Sequence, residues 1–305
     1  MYVGAHDEPM GEIPGSGDAS GRHGPRVAVT GATGHVGGLV ARLLAADDVP
    51  QRLLVRTPSR APELPGAQVV EAPYGDGAAV ERALAGVDVV LFVSATESAD
   101  RLEQHERFVE AAARAGVRHV VYTSFQGAGP DASFTLARDH AATEELVRLS
   151  GMAWTFLRDS LYLDVLAEWV GDDGVLRGPA GDGVVAAVAR ADVARCAAAV
   201  LTDVLADPAA HGGRAYELTG REAVGLADVA RIVHEVTGRP ARYHAESVRE
   251  AYESRAVYGA PRWQVDAWVS TYTAIAEGAL RHVSGDVARL TGREPLTLRD
   301  VLQAT

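Results

Sequence analysis

The sequence predicts an α/β protein in which helices cover both faces of a parallel β-sheet. Short apolar runs without polar alternation indicate strands that are buried on both faces. Amphipathic segments of helical period separate these runs, and glycines directly follow the first of them. Regular alternation of strand and helix favours a doubly wound order, with ligands bound beyond the carboxyl ends of the strands. We therefore expect a Rossmann-type doubly wound parallel sheet with a smaller C-terminal lobe.

The individual elements follow from their own patterns. Short runs of apolar and β-branched residues that end at polar residues or glycine predict the strands 27–30, 51–55, 67–71, 87–93, 118–123 and 153–157. Apolar residues three and four positions apart predict the helices 35–46, 77–85, 100–115 and 135–150. Beyond residue 160 the alternation weakens, and we predict the helices 191–204, 226–237, 247–257 and 262–280 and the strands 214–218 and 242–245.

The composition excludes several classes of chemistry. All 29 basic residues are arginine, so Schiff-base enzymes, P-loop NTPases and the Tyr-x-x-x-Lys pair of ordinary short-chain dehydrogenases are excluded. A net charge of −12 without a basic run argues against nucleic acid, and no apolar stretch is long enough to span a bilayer. The single cysteine excludes an internal disulfide and a cysteine-rich metal site. We expect a cytoplasmic protein without a metal.

A glycine-rich turn joins the first predicted strand to the first helix. Its spacing is Gly-x-x-Gly-x-x-Gly, at Gly31, Gly34 and Gly37. In dinucleotide-binding folds such glycines allow the tight turn, the close approach of the pyrophosphate and the packing of helix on sheet. The free N–H groups of the helix start attract phosphate. The turn therefore predicts a dinucleotide cofactor rather than a purely structural turn.

The residues after the second strand indicate which nucleotide is bound. NAD-preferring folds usually place an acid there, whereas this chain places Arg56, Ser59 and Arg60. Two arginines and a serine suit the 2′-phosphate of NADPH, so we predict that NADP is preferred over NAD. The alternative is that both arginines are solvated surface residues.

Several further motifs resemble the atypical short-chain dehydrogenases of the NmrA-like group, and most closely their type-2 NAD(P)H:quinone oxidoreductase branch. These motifs are VTGATGHVG at 29–37, AGVD at 85–88, AGVRHVVYTS at 115–124, ARDHAATE at 137–144 and YELTG at 216–220. The resemblance implies an NAD(P)-binding oxidoreductase and covers roughly residues 26–245. The same group includes reductases of plant phenolic ethers and redox-sensing regulators that bind cofactor without turnover.

The resemblance implies cofactor contacts at named positions. In the glycine turn these are Gly31, Thr33, Gly34, His35 and Val36. Beyond the turn they are Arg56, Asp76 near the adenine, Ser94 and Ala95 after the fourth strand, and Thr123 and Ser124 near the nicotinamide.

Three side chains are candidates for the chemistry that lysine cannot perform. His140 is a proton donor or a ribose contact, because an imidazole titrates near neutral pH; the alternative is a local structural role. Tyr162 keeps its place in a stretch that otherwise departs from the quinone reductases, and Ser124 completes the catalytic set. A quinone is already electrophilic, so a weak acid suffices for its reduction.

The predicted substrate pocket contains two further residues. Asp159 stands where quinone-reductase relatives have asparagine, and its carboxylate would repel anionic acceptors and recruit cationic or hydroxylated ones. The alternative is that it pairs with a nearby arginine. Trp268 would form an aromatic wall for a planar ligand, or else pack on the sheet or in a dimer.

We expect an NADPH-dependent oxidoreductase that reduces a quinone, activated carbonyl or enone on a planar or aromatic small molecule. A tailoring enzyme of small-molecule biosynthesis (a reductase, isomerase or cyclase) and a non-catalytic NADP(H) sensor are the alternatives; a homodimer is possible. The expected organisation is a disordered leader (1–25), a dinucleotide-binding core (26–160) and a substrate-binding lobe packed on it (161–305).

Overall fold

The structure, a computed structural model, describes residues 24–304. Its strands in chain order are β1 (Val27–Thr30), β2 (Gln51–Val55), β3 (Ala67–Glu71), β4 (Val89–Phe92), β5 (His119–Phe125), β6 (Ala153–Asp159), β7 (Val175–Gly178), β8 (Val184–Val185), β9 (Arg214–Leu218), β10 (Val224–Gly225) and β11 (Arg242–Ala245). Seven of them form one parallel sheet in the order β3-β2-β1-β4-β5-β6-β9. This confirms the predicted doubly wound fold.

Helices cover both faces of this sheet. In chain order they are α1 (His35–Ala46), α2 (Gly77–Leu84), α3 (Arg101–Arg114), α4 (Thr135–Leu149), α5 (Leu163–Glu168), α6 (Arg190–Ala206), α7 (Leu226–Thr237), α8 (Val248–Arg255), α9 (Arg262–Ala276), α10 (Asp286–Thr291) and α11 (Leu298–Gln303). Successive residues of β1 face opposite sides: Val27 and Val29 pack with α1 and α6, whereas Ala28 packs with α2 and α3. This two-sided burial explains why the strands are continuously apolar.

The chain beyond residue 160 contributes to both parts of the molecule. β9 pairs with β6 at the edge of the sheet, and α6 packs against α1 in the same hydrophobic core. Residues 190–218 therefore complete the dinucleotide-binding core, in contrast to the predicted division at residue 160. A second core, built mainly from α5, α7, α9 and α11 with β7 and β8, forms the lobe beside it.

Element bounds agree with the sequence expectation to within about two residues for most of the first half of the chain. The sequence analysis missed α5, α10 and α11 and the strands β7, β8 and β10, which are too short to show a period. The predicted leader falls almost entirely outside the described residues. In the described range, no helix combines the length and the apolar character that crossing a membrane requires.

Candidate active site

The carboxyl ends of the central strands open into a cleft of about 580 Å³. Its walls come from the glycine turn after β1, the loop after β4, the ends of β5 and β6 and parts of the C-terminal lobe. In parallel sheets this edge binds ligands, because the loops that follow the strands converge there. The cleft therefore brings together the predicted cofactor turn and much of the predicted chemistry.

The glycine turn has the geometry that a dinucleotide cradle requires. Gly31 adopts a left-handed φ of +63° and lies over Val93, whose Cβ would be 3.1 Å from an added methyl group. At Gly37 a Cβ would lie 2.5 Å from the Gly31 carbonyl oxygen, so only glycine lets α1 start so close to the turn. Gly34 precedes α1 and offers no side chain to cap it, which leaves the first N–H groups of the helix for a ligand. The site thus fits a pyrophosphate.

The predicted contacts of the turn lie together. Gly31, Gly34, His35 and Val36 line the cleft, and Thr33 is an exposed residue of the same turn. Ser94 and Ala95 line it from the loop after β4. These positions surround one space, as a single extended cofactor would require.

Arg56, Ser59 and Arg60 are exposed beyond the end of β2. Within residues 24–304, neither guanidinium group of this pair of arginines forms an ion pair or hydrogen bond, so both remain free for a ligand. Asp76 is exposed at the start of α2, where its carboxylate accepts a hydrogen bond from the Ala79 N–H at 2.9 Å. Its role beside the adenine stays a prediction.

The loop after β4 is held by hydrogen bonds from three sides. The Ser94 N–H donates to Thr123 Oγ1 at 2.8 Å, and the Ala95 N–H donates to His105 Nε2 at 2.9 Å. The Tyr74 hydroxyl bridges the Val93 carbonyl oxygen and Thr30 Oγ1. Thr123 is buried and is absent from the cleft walls, so it positions Ser94 instead of approaching the nicotinamide as expected.

Ser124 also lies away from the cleft. Its side chain is fully buried and donates to Glu144 Oε1 at 2.7 Å. Glu144 in turn binds Arg148 and Arg158. The structure thus places Ser124 in a buried ionic cluster between β5, β6 and α4, which does not support its expected catalytic role.

His140 lines the cleft, but both nitrogens of its ring form hydrogen bonds with other protein side chains. Arg101 Nη2 lies 3.0 Å from Nε2, and a guanidinium can only donate, so Nε2 is the acceptor. The proton then sits on Nδ1, which donates to the Tyr122 hydroxyl oxygen at 3.0 Å. Burial, with the nearby Arg101 charge, lowers the pKa of His140 well below its usual value. A neutral imidazole with both nitrogens occupied is a poor proton donor, which favours the alternative of a local structural role.

Asp159 and Tyr162 form a hydrogen-bonded pair in the cleft. The Tyr162 hydroxyl donates to Asp159 Oδ2 at 2.6 Å. Burial raises the pKa of the Asp159 carboxyl to about 8, so this carboxyl is protonated at neutral pH. Only a charged carboxylate would repel anionic acceptors as expected. Because burial keeps the carboxyl protonated, this repulsion is absent.

Trp268 does not line the cleft itself. It packs on Val265 and Val269 of its own helix and on Ala251. Its indole N–H hydrogen-bonds to Glu97, which does line the cleft. Trp268 therefore contacts a wall residue, and the expected aromatic wall is formed instead by residues such as Phe125, Phe134 and Trp169.

The sequence analysis missed Arg101, Glu97 and Ser160, all of which line the cleft. Arg101 alone gave a signal, because a basic residue in the first turn of a helix opposes the helix dipole. Within the described part of the chain, no group of three or more acidic, histidine or cysteine side chains is arranged to hold a metal.

Comparison with known proteins identifies the family. The NAD(P)H-binding family matches residues 31–204. A (4-alkanoyl-5-oxo-2,5-dihydrofuran-3-yl)methyl phosphate reductase of Streptomyces griseus is 38% identical and aligns over 90% of this chain and 95% of that protein. Quinone oxidoreductase 2 of Escherichia coli is 32% identical over 90% of this chain and 96% of that protein. The crystal structure of the NADPH-dependent quinone oxidoreductase QOR2 of Escherichia coli, complexed with NADPH, has a TM-score of 0.81 at 32% identity and covers 91% of this chain and 99% of that chain.

The two relatives and the solved structure each cover about nine tenths of this chain, and the family match covers residues 31–204, which include the glycine turn. The chain therefore belongs to the NAD(P)H-binding family and, within it, to the NmrA-like atypical short-chain dehydrogenases/reductases near the quinone oxidoreductase branch, and its enzyme class is NAD(P)H-dependent oxidoreductase.

Proposed function

We propose that the protein uses NADPH to reduce an activated carbon–carbon double bond or quinone of a small planar molecule. The observation that carries this proposal is the protonated Asp159 held by Tyr162 in the same cleft as the glycine turn. A hydride acceptor conjugated to a carbonyl needs one hydride and one proton. The glycine turn is suited to hold NADPH, which supplies the hydride, and the pair of Asp159 and Tyr162 is suited to supply the proton.

The described residues suit NADPH as the cofactor. The N–H groups at the start of α1 and the open face of Gly34 fit the pyrophosphate, and the free guanidinium groups of Arg56 and Arg60 fit a 2′-phosphate. Ser94 and Ala95 border the continuation of the cleft toward Asp159. When bound, NADPH supplies the hydride. The solved relative that contains NADPH supports this preference.

Asp159 has the properties of the proton donor. The Tyr162 hydroxyl occupies Oδ2, so the carboxyl proton is carried on Oδ1. As the acceptor takes up a hydride at its electrophilic carbon, the enolate or quinol oxygen that develops takes this proton, and bulk water reprotonates Asp159. An acid with a pKa near the working pH gives efficient general acid catalysis. The pKa of Tyr162 is raised by burial and by the adjacent acid, so Tyr162 acts as the partner that holds Asp159 in place.

The weak acid sets the class of acceptor. The chain has no lysine, and the neutral His140 cannot stabilise the alkoxide that forms from a plain ketone. An enolate or quinolate spreads its charge and needs less assistance. The reductase relative of Streptomyces griseus acts on an unsaturated lactone that carries an acyl group, and the Escherichia coli relative is a quinone oxidoreductase. Both acceptors belong to this activated class.

The proposal is tested by mixing the purified protein with NADPH and a panel of acceptors. The panel contains benzoquinone, 1,4-naphthoquinone, an acyl butenolide and, as a matched control, a plain saturated ketone. We expect NADPH oxidation with stoichiometric reduced product for the activated acceptors, and none for the ketone. Binding of NADPH without oxidation by any member of the panel would contradict the proposal and favour a cofactor sensor.

The specialised tailoring enzyme is a second candidate, restricted to reduction. The segment from Asp159 to Leu161 departs from the quinone-reductase pattern, and the 38% identical relative is named for the reduction of one defined class of compound. A kcat/KM for the acyl butenolide that exceeds those for the simple quinones by 100-fold or more would favour this candidate, and similar values would exclude it.

A further inference from the structure

Arg101 is a buried cation that the proposed reaction does not use. It is the first residue of α3, is 3% exposed and lines the cleft. Its Nη2 donates to His140, but within residues 24–304 its Nε and Nη1 atoms have no hydrogen-bond partner. Asp139 Oδ2 is 3.5 Å from Nη1, too far to satisfy that group. Two N–H-bearing atoms of a desolvated guanidinium are thus left without an acceptor.

Unsatisfied buried donors are uncommon because each one retains its full desolvation cost. Ser160 lines the same cleft, is 1% exposed and likewise has a hydroxyl without a partner in the described structure. Two buried residues of one cleft with unpartnered polar atoms indicate a ligand with oxygen atoms to offer. A guanidinium group presents a planar fork of donors that matches the oxygens of a phosphate or carboxylate.

The charge balance of the cleft also favours an anion. Its ionisable walls include the cations Arg101 and Arg190 and the acids Glu97 and Asp159. Asp159 is neutral at pH 7, whereas Glu97 is exposed and offsets one of the two cations. Asp139 and His140 touch Arg101 from α4, but His140 is neutral. The exposed His35 of the glycine turn and the neutral Tyr162 are the other ionisable groups of the walls. On the walls themselves the cations Arg101 and Arg190 therefore outnumber Glu97, while Asp139 partly offsets Arg101 from α4.

We propose that Arg101, together with Ser160, binds an anionic substituent of the acceptor, either a phosphate monoester or a carboxylate. This inference rests on the proposed function, since it names the substrate class of the same cleft. The subsite is separate from the groups that hold the cofactor phosphates: Gly34 and the start of α1 for the pyrophosphate and Arg56 for the 2′-phosphate. The acceptor would be held by its anion while its double bond lies near Asp159.

The first test compares two acceptors that differ only in the anion: an acyl butenolide methyl phosphate and the corresponding free alcohol. We expect the wild type to favour the phosphate, and the ratio of the two kcat/KM values to fall tenfold or more in Arg101→Gln. Arg101→Lys keeps the positive charge but not the planar set of guanidinium donors. Its ratio of kcat/KM values should therefore lie between those of Arg101→Gln and wild type. Arg138→Gln removes an exposed arginine of α4 outside the cleft and should leave the ratio as in wild type. Equal loss of both activities in Arg101→Gln would overturn the proposal.

The second test uses the wild-type protein and does not depend on a variant that folds. Inorganic phosphate is added at constant ionic strength, with the uncharged alcohol or 1,4-naphthoquinone as acceptor. Inhibition that is competitive with the acceptor supports the subsite. Inhibition competitive only with NADPH places the anion in the cofactor site, and either this result or no inhibition overturns the proposal.

The two proposals fail in different ways. If no acceptor is reduced at all, the proposed function fails, and phosphate binding to the NADPH-loaded protein is then measured by calorimetry. The subsite alone fails if neutral acceptors are reduced, added inorganic phosphate does not inhibit their reduction, and a phosphate substituent does not raise the kcat/KM of an acceptor.

Discussion

The carboxyl of Asp159 keeps its proton at neutral pH because its burial, which raises the pKa, outweighs the hydrogen bond from Tyr162 and the charge of Arg101, which both lower it. A side chain that the sequence alone suggested to be an anion is therefore the proton donor of the proposed function. His140 shows the reverse case, since a residue chosen for its usual pKa is made neutral by burial and by Arg101. In both residues burial, which a single sequence does not reveal, decides the protonation state.

The first prediction concerns Asp159→Asn, which keeps the shape of the side chain but removes the acid. We expect kcat/KM to fall about 100-fold, the usual contribution of a general acid. In wild type, kcat/KM should decline above a pH of about 8, as the carboxyl loses its proton, and this decline should be absent in the variant. The measurement is the pH profile of NADPH oxidation. Glu168→Gln, an exposed change nearby, serves as control, and an unchanged profile in Asp159→Asn would exclude the acid role.

A second prediction concerns Arg56→Ala. Removing this exposed cation should weaken NADPH binding by tenfold or more and NADH binding far less, because only NADPH carries the 2′-phosphate. Dissociation constants from fluorescence titration with each cofactor test this, with the exposed Arg82→Ala as control. Equal weakening for both cofactors would contradict the assignment of the 2′-phosphate to Arg56.

At the scale of elements, one buried acid joins three of them. Glu144 on α4 is 1% exposed and binds Ser124 of β5, Arg158 of β6 and Arg148 of its own helix. A buried carboxylate with this many donors is satisfied, whereas removing it leaves Arg158 with its longer ion pair to Glu217 and Arg148 with its longer ion pair to Glu145. The cluster therefore holds α4, and with it His140, against the sheet.

The third prediction follows from this cluster. Glu144→Ala should lower the free energy of unfolding by about 3 kcal/mol, at the lower end for buried ion pairs because both arginines keep some exposure. Its neighbour Glu145 is exposed, and Glu145→Ala should cost less than about 0.5 kcal/mol. Urea unfolding of both variants measures the difference. Similar losses in the two variants would show that the cluster does not stabilise the fold.

The sequence predicted the elements that have a clear period or a fully apolar run. These include every strand of the central sheet and the helices α1 to α4, together with the glycine turn. It did not predict that β9 returns to pair with β6, since pairing of distant strands leaves no local pattern. Nor did it predict the direction of Thr123 and Ser124, whose side chains leave the cleft although their strand ends in it. Cleft residues such as Arg101 depend on the same long-range packing.

The whole molecule carries buried histidines that make its stability depend on pH. His119 is 2% exposed, and its Nε2–H donates to Thr155 Oγ1, whose own proton is used on the His211 carbonyl oxygen. Its Nδ1 is buried without a partner in the described structure. Burial, with His211 nearby, lowers the pKa of His119 to about 4. Protonation on acidification therefore places an uncompensated charge in the core.

The fourth prediction is a loss of stability on acidification that depends on His119. Its pKa in the folded state lies below the unfolded value of about 6.5, so the contribution is complete above pH 6.5 and is lost as pH falls toward 4. Within that window His119→Gln should lose less stability than wild type, by up to about 1.4 kcal/mol per pH unit. Urea unfolding between pH 7.5 and 5 tests this, with the exposed His234→Gln as control. Parallel curves for wild type and His119→Gln would refute it.

Asp192 is hydrogen-bonded to a residue that is synthesised much later in the chain. This acid is fully buried in α6, where it pairs with Arg195, and its Oδ2 accepts the N–H of Leu296, 104 residues later, at 2.8 Å. Asp286 similarly holds the N–H of Glu217 in β9, at the edge of the sheet. A growing chain emerges from the ribosome N-terminal end first, so the dinucleotide half is synthesised well before these partners exist. We expect α6 and β9 to settle only once the last stretch of the chain has been made, and the nascent enzyme to depend until then on protection of its open sheet edge.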